Sequence, residues 1–211
     1  MANFTVESVL KYYNNKVILN DIYISLSKGE ILCIVGKNGA GKTTLLNIIS
    51  GIDKNSQKHI TYNGKILQKR FFQHISYSSQ DIYIPDNFKV RKLHKYFKTN
   101  NTKDLFNESI FIEKSKYLFG ELSTGERKYI QSLLNINSTR KICLLDEPFG
   151  YISPIYAERL IHYIKSNKET KIFIITTHLF QILSELDLKT ALLKDGKLHK
   201  INDISKFNLH Y

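Results

Sequence analysis

The run Gly36-Lys37-Asn38-Gly39-Ala40-Gly41-Lys42-Thr43 limits what this chain can fold into more than any other stretch. Its spacing, Gly-x-x-x-x-Gly-Lys-Thr, lets successive backbone N–H groups turn inward around an anion at the N-terminus of a helix. Immediately before it stand Ile31-Leu32-Cys33-Ile34-Val35, all apolar, which predicts a strand over 30–35 buried on both faces. Residues 42–50 follow with helical spacing. Lys42 is then placed to reach β- and γ-phosphates and Thr43 to offer a hydroxyl to Mg²⁺, with Thr44 beside them.

Around this unit the chain reads as α/β. Residues 4–13 and 17–26 alternate apolar and polar positions about the turn signal Asn14-Asn15, predicting a small antiparallel sheet at the start. Apolar strands are expected at 75–78, 141–146, 172–176 and 190–194, alternating with helical patterns, which argues for a mainly parallel sheet. Between Gln80 and Leu122 no strong strand is visible; residues 90–97 carry apolar positions at helical spacing, and the Lys- and Asn-rich stretch 98–104 reads as an exposed connection between two short helices. The expected organisation is one domain over 1–211, with a nucleotide-binding core at about 1–79 and 123–211 and a helical insert at about 80–122. Residues 196–211 read as a last hairpin strand and a short tail.

Two further clusters carry chemistry. The apolar strand Ile142-Cys143-Leu144-Leu145 ends in Asp146-Glu147. Asp146 is placed for a Mg²⁺ shell, and Glu147, one residue on, for accepting a proton from attacking water; alone, the pair could also cap a helix. Leu122-Ser123-Thr124-Gly125-Glu126 precedes an amphipathic helix, and Ser123 with Glu126 also fits a capping box.

The order phosphate loop, Gln80, Ser123-Thr124-Gly125, Asp146-Glu147 and His178 resembles that of the ABC-type ATPases, with Leu122 to Glu126 resembling the family's Leu-Ser-Gly-Gly-Gln signature. The resemblance runs from about Tyr13 to Gly196. It implies a P-loop fold with an N-terminal antiparallel β subdomain, ATP and Mg²⁺ as ligands, and hydrolysis by Lys42, Glu147 and His178. Gln80 would meet Mg²⁺ or the attacking water, so Thr43, Gln80 and Asp146 form the implied metal set. Tyr13, or alternatively Tyr12, would stack on adenine. Two such subunits would pair head to tail, Ser123 and Gly125 of one completing the ATP site of the other, and separate transmembrane permease subunits would be the output. That implies a peripheral position on the inner face of the cell membrane. A short single ATPase of this kind resembles exporters and resistance or immunity systems more than large importers.

Three positions depart from the family pattern. Thr124 stands for a glycine, where a β-branched side chain crowds the backbone if φ is positive. Glu126 stands for glutamine, and Ile152-Ser153 for a Leu-Asp pair whose aspartate links the two ATP sites. The expectation is slow but real turnover.

The net charge of +12, from 31 Lys+Arg against 19 Asp+Glu, suits polyanions and keeps open a soluble ABC protein acting on the ribosome, although such proteins usually carry two ATPase units in one chain. Direct nucleic-acid binding is not expected. No secretory signal is visible at the start, and no run approaches the roughly 20 apolar residues of a membrane span, so a water-soluble chain is expected. Cys33 and Cys143 lie in apolar strands and read as buried free thiols in a reducing compartment.

Overall fold

The computed structural model describes residues 3–68, 71–99, 105–178 and 180–201. Residues 100–104 of the expected connection and 202–211 of the expected tail lie outside that description.

The chain opens with a long hairpin, β1 (Asn3–Tyr13) and β2 (Lys16–Ser27), closed at Asn14 and Asn15 with φ of 47° and 63°. β3 (Ile31–Val35) then leads through the glycine loop into α1 (Lys42–Ile49). Next come β4 (Gln57–Tyr62), β5 (Lys65–Ile66), α2 (Phe71–His74) and β6 (Ile75–Ser78). After the insert, which holds α3 (Ser109–Glu113), follow α4 (Thr124–Ile136), β7 (Ile142–Asp146), α5 (Pro154–Asn167), β8 (Ile172–Thr176), β9 (Lys189–Lys194) and β10 (Lys197–Ile201).

Two sheets result. The main sheet has six strands in the order β10-β9-β3-β8-β7-β6, every pairing parallel except β10 with β9. The second is antiparallel, β2-β1-β4-β5. β3 lies in the middle of the main sheet, with Cys33 opposite both Ile175 and Thr190.

Why β3 must be apolar throughout follows from what covers it. Ile31, Cys33 and Val35 face one core with Tyr129, Leu133, Leu160 and Ile164 from α4 and α5. Leu32 and Ile34 face the other, with Leu45 and Ile48 of α1 and with Phe4, Val6 and Ile22 of the antiparallel sheet. At about 2 kcal/mol for each fully buried aliphatic side chain, a polar residue on either face of β3 would cost the fold heavily. The strand therefore holds the glycine loop on a rigid base.

The second sheet is larger than the sequence suggests, because β4 is almost wholly polar. Ile60 is its one fully buried side chain, so no apolar alternation marks it. In the insert, residues 90–95 form a 3-10 helix rather than an α-helix. Val90 and Leu93, three apart, are both fully buried, and a three-residue turn aligns them on one side. Ile110, Phe111, Phe119 and Leu122 join the same core as α4 and α5.

Candidate active site

The glycine loop is held open by sterics. Gly39 and Gly41 have φ of 81° and 102°, where side chains are disfavoured. A Cβ on Gly36 would lie 2.7 Å from the carbonyl oxygen of Leu193. Gly41 is the N-cap of α1, no side chain caps the helix, and its first turn carries no acid. The first N–H groups of α1 are therefore available to an anion. Lys42 is almost fully buried, its Nζ donating to the carbonyl of Gly36 at 2.8 Å and of Lys37 at 3.4 Å, with Glu147 Oε1 at 3.7 Å.

Parallel pairing in the main sheet brings the ends of β7 and β8 beside this loop. Asp146, the last residue of β7, is fully buried; its Oδ1 accepts the Thr176 hydroxyl at 2.6 Å and its Oδ2 the Tyr77 hydroxyl at 3.3 Å. Both partners are neutral hydroxyls. Burial, with the neighbouring Asp146 adding to it, pushes the Tyr77 phenol well above its usual range. Glu147 turns out of the strand with φ of 46°, an uncommon conformation held by its N–H donating to Thr176. Its Oε2 accepts from the backbone N–H of His178 at 3.3 Å and lies 2.9 Å from His178 Nδ1.

A cavity of about 970 Å³ opens over this cluster. From the expected set it is lined by Tyr13, Asn38, Gly39 and Gly41, by Lys42, Thr43 and Thr44, and by Gln80, Glu147 and His178. Tyr13, 68% exposed, lines it, and Tyr12 does not. Gly36, Lys37 and Ala40 lie within the loop without lining the cavity, and Asp146 stands behind its wall. The Thr43 hydroxyl, the Gln80 amide and the Asp146 carboxylate are hard oxygen donors of the kind Mg²⁺ takes. When bound, such an ion neutralises charge on the phosphates.

Ser123 and Gly125 do not line the chain's own cavity, although Thr124 does. Ser123 forms the capping box in full: its hydroxyl accepts from Glu126 N at 3.2 Å, and Glu126 Oε2 accepts from Ser123 N at 2.9 Å. Glu126 also pairs with Lys114 of the insert at 2.9 Å, and this partner together with the cap lowers its pKa against the opposing effect of burial. Thr124 is the first residue of α4 and is not among the positive-φ residues, so its β-branched side chain carries no strain of that kind. Ser153 caps α5, accepting from Tyr156 N at 3.4 Å ahead of Pro154. The position of the missing aspartate thus has a structural use here.

Sequence reasoning missed several walls of the cavity: Lys11 and Ile18 on the hairpin, Asp81 and Ile82 after Gln80, Lys128 on α4, and Tyr151. Lys11 was findable, since it lies two residues from Tyr13 on one face of β1. Tyr151 was not: it is 87% exposed and sits at φ 66°, a conformation no composition signal announces. Lys128 is 3% exposed, and burial pushes its amine down to about 8 against the opposing pull of Asp146, Asp81 and Glu147. Both cysteines are buried and free; burial pushes the Cys33 thiol up to about 12 and that of Cys143 to about 11.

Comparison with known proteins identifies the family. Residues 19–150 match the ABC transporter family. An uncharacterized ABC transporter ATP-binding protein of Methanocaldococcus jannaschii is 30% identical over 215 residues, covering 95% of this chain and 79% of that protein. The lipoprotein-releasing system ATP-binding protein LolD of Wigglesworthia glossinidia brevipalpis is 28% identical over 214 residues, covering 90% of this chain and 93% of its own length. Among solved structures, the ATP-binding subunit of an ABC transporter superposes with a TM-score of 0.83 at 16% identity, over 96% of this chain and 90% of that one. An ATP-binding cassette in its ADP conformation gives 0.76 at 21% identity, over 94% and 90%. With the phosphate loop, the Asp-Glu strand end and the capped signature helix in one fold, the chain belongs to the ABC transporter family as an ATP-binding protein.

Proposed function

We propose that this chain hydrolyses ATP and that the reaction drives a transporter whose membrane-spanning subunits are separate polypeptides. The observation that carries the reading is the meeting of Lys42, Thr43, Gln80, Glu147 and His178 in one cavity, with Glu147 held 2.9 Å from His178. In this reading Tyr13 stacks on the base, Lys42 and the α1 N-terminus hold the phosphates, and Thr43, Gln80 and Asp146 hold Mg²⁺. Glu147 accepts the proton of the attacking water, and His178 fixes the carboxylate's orientation at the γ-phosphate. A second ATPase subunit closes the cavity with its own Ser123 and Gly125. Supporting that closure, neither residue lines the cavity of its own chain.

A second cavity, of about 470 Å³, supports the membrane partner. Ile52 and Phe72, each 64% exposed, and Tyr96, 61% exposed, line it, with Lys98 and Arg140 among its other lining residues. An apolar groove with cations beside it suits an amphipathic permease segment carrying acidic residues. Among the described residues no helix is long and apolar enough to cross a membrane. The chain would then reach the inner face of the membrane through the permease. In this reading the direction is outward movement or release, as in the name of the lipoprotein-releasing relative.

Phosphate release by the purified chain, compared with its Glu147→Gln variant, tests the proposal. Turnover clearly above the variant is expected; none would overturn it. Co-purification with a membrane protein tests the transport half, and RNA retained at low salt and lost at high salt would count for the ribosomal reading.

A further inference from the structure

The insert gathers positive charge on one segment. Between Asp86 and Asp104 the sequence has no acidic residue, and Lys89, Arg91, Lys92, Lys95 and Lys98 stand within that gap. All five are exposed. Among the described residues none of the five is in an ion pair. The acid just before them, Asp86, is engaged by Arg127 at 2.7 Å.

The 3-10 form of residues 90–95 turns this content into a pattern. At three residues per turn, side chains at i and i+3 eclipse, so Val90 and Leu93 share one side, and both are buried in the core beneath. Lys92 and Lys95 share a second side, about 6 Å apart along the axis, and Lys89, the N-cap residue, leads into the same row. Arg91 and His94 share the third. An α-helix would instead turn each successive member of the row away by about 60°. The backbone beneath is braced: Val90 N donates to the carbonyl of Tyr117 at 3.1 Å and Arg91 N to that of Ser115 at 3.3 Å. Aligned like charges without counter-charges repel one another, so the row favours a polyanion.

What adjoins the row favours a membrane over a nucleic acid. Tyr96 and Lys98, directly after it, line the groove of about 470 Å³ together with the exposed side chains of Ile52 and Phe72. Cations beside exposed aliphatic and aromatic groups make up a surface suited to a lipid interface. A nucleic acid would use a free aromatic face for stacking, whereas the Tyr96 ring is packed on Phe88, with 4.6 Å between centroids.

We infer that the row of Lys89, Arg91, Lys92 and Lys95 rests on anionic lipid headgroups at the membrane surface, beside the permease. Its place next to the permease rests on the transport reading above; its affinity for anionic lipid does not.

Sedimentation of the purified full chain with vesicles tests this. Binding is expected to vesicles of phosphatidylglycerol and phosphatidylcholine in equal parts, weakened by high salt, and not to phosphatidylcholine alone. The triple variant Arg91→Gln, Lys92→Gln, Lys95→Gln should lower the partition coefficient about a hundredfold. Its MgADP affinity and urea midpoint should stay near wild type, because these three exposed side chains line neither cavity. Arg91→Lys with Lys92→Arg and Lys95→Arg keeps the charge and should bind as wild type. Removing equal charge from the β9-β10 hairpin, by Lys194→Gln, Lys197→Gln and Lys200→Gln, should cost no more than about threefold. Equal losses in the two charge-removing triples, or wild-type partition in the first, would overturn the inference. So would an RNA oligonucleotide that the chain binds more tightly than the vesicles and that the first triple releases, since the row would then serve RNA. Vesicle binding through the row in a chain that co-purifies with no membrane protein would remove the permease reading and leave the lipid contact standing.

Discussion

Glu147 and His178 are joined through the Glu147 Oε2 to His178 Nδ1 contact of 2.9 Å, and the same oxygen accepts the His178 backbone N–H at 3.3 Å. The other oxygen, Oε1, stands 3.7 Å from Lys42 Nζ. One carboxylate thus spans the phosphate loop and the loop after β8. Its position depends on two strand ends meeting, β7 and β8, which are paired through Asp146 and Thr176. The side chain is only 14% exposed while His178 is 55% exposed, so the carboxylate is fixed and the imidazole faces the open cavity.

Glu147→Gln is the most informative single change. The amide keeps the shape of the side chain and can still meet His178, but it cannot accept a proton from water. Turnover should fall about 10²–10⁴-fold, the usual worth of a general base, while binding of a fluorescent ATP analogue should change little. Loss of binding in step with turnover would show that Glu147 orders the site and does not act in the chemical step.

How much of this was legible beforehand differs from residue to residue. β3 and its glycine loop were legible because burial on both faces leaves a continuous apolar run. The meeting of Gln80, Glu147 and His178 was legible only through the family order, since each is a lone residue after a strand. β4 and β5 were overlooked even though Asn63-Gly64, with φ of 52° and 73°, closes their hairpin. That dipeptide is a strong turn signal in its own right, but the polar strand before it carries no apolar alternation to pair with it. The row Lys128, Gln131, Asn135 resembles the solvated side of an amphipathic helix; it is buried because Lys128 and Gln131 donate to the carbonyls of Ser79, Gln80, Asp81 and Asp146.

Gly125 should tolerate no side chain. A Cβ there would be driven into the carbonyl oxygen of Tyr151, a backbone atom in a turn already holding a non-glycine residue at φ 66°. Gly125→Ala must push apart the start of α4 and the 147–153 turn. Overpacking of this kind costs about 1–3 kcal/mol, measurable as a lowered urea midpoint. An unchanged midpoint would mean that the turn relaxes freely.

Ser153 separates a cap from a missing carboxylate. Ser153→Ala removes the acceptor for Tyr156 N and should destabilise the chain by about 1 kcal/mol, whereas Ser153→Asp, also a good N-cap, should stay within about 0.5 kcal/mol of wild type. If turnover of the aspartate variant rises at equal stability, the departure at this position accounts for the slow hydrolysis expected of the chain. Equal turnover would assign Ser153 to capping alone.

Lys171 gives a pH test free of the active site. It is 1% exposed, donates to the Ser138 carbonyl, and burial pulls its amine from 10.5 down to about 8, with Lys141 and Arg140 adding to the shift and Cys143 opposing it. A lysine with a lowered folded pKa binds fewer protons in the folded chain than in the unfolded one across the window from about 8 to 10.5. Stability from this group therefore rises with pH through that window, and below about 8 the folded chain carries the full cost of the buried charge. Raised thiol pKa values at Cys33 and Cys143 act in the opposite sense above about 9, so the comparison must be with a variant that keeps both. Lys171→Met keeps length and removes the charge. Between pH 7.5 and 9 the stability of wild type relative to Lys171→Met should improve by about 1 kcal/mol, read from urea unfolding at both pH values. A difference that stays constant would mean that the Lys171 amine keeps its ordinary pKa, its lost hydration made good by the Ser138 carbonyl.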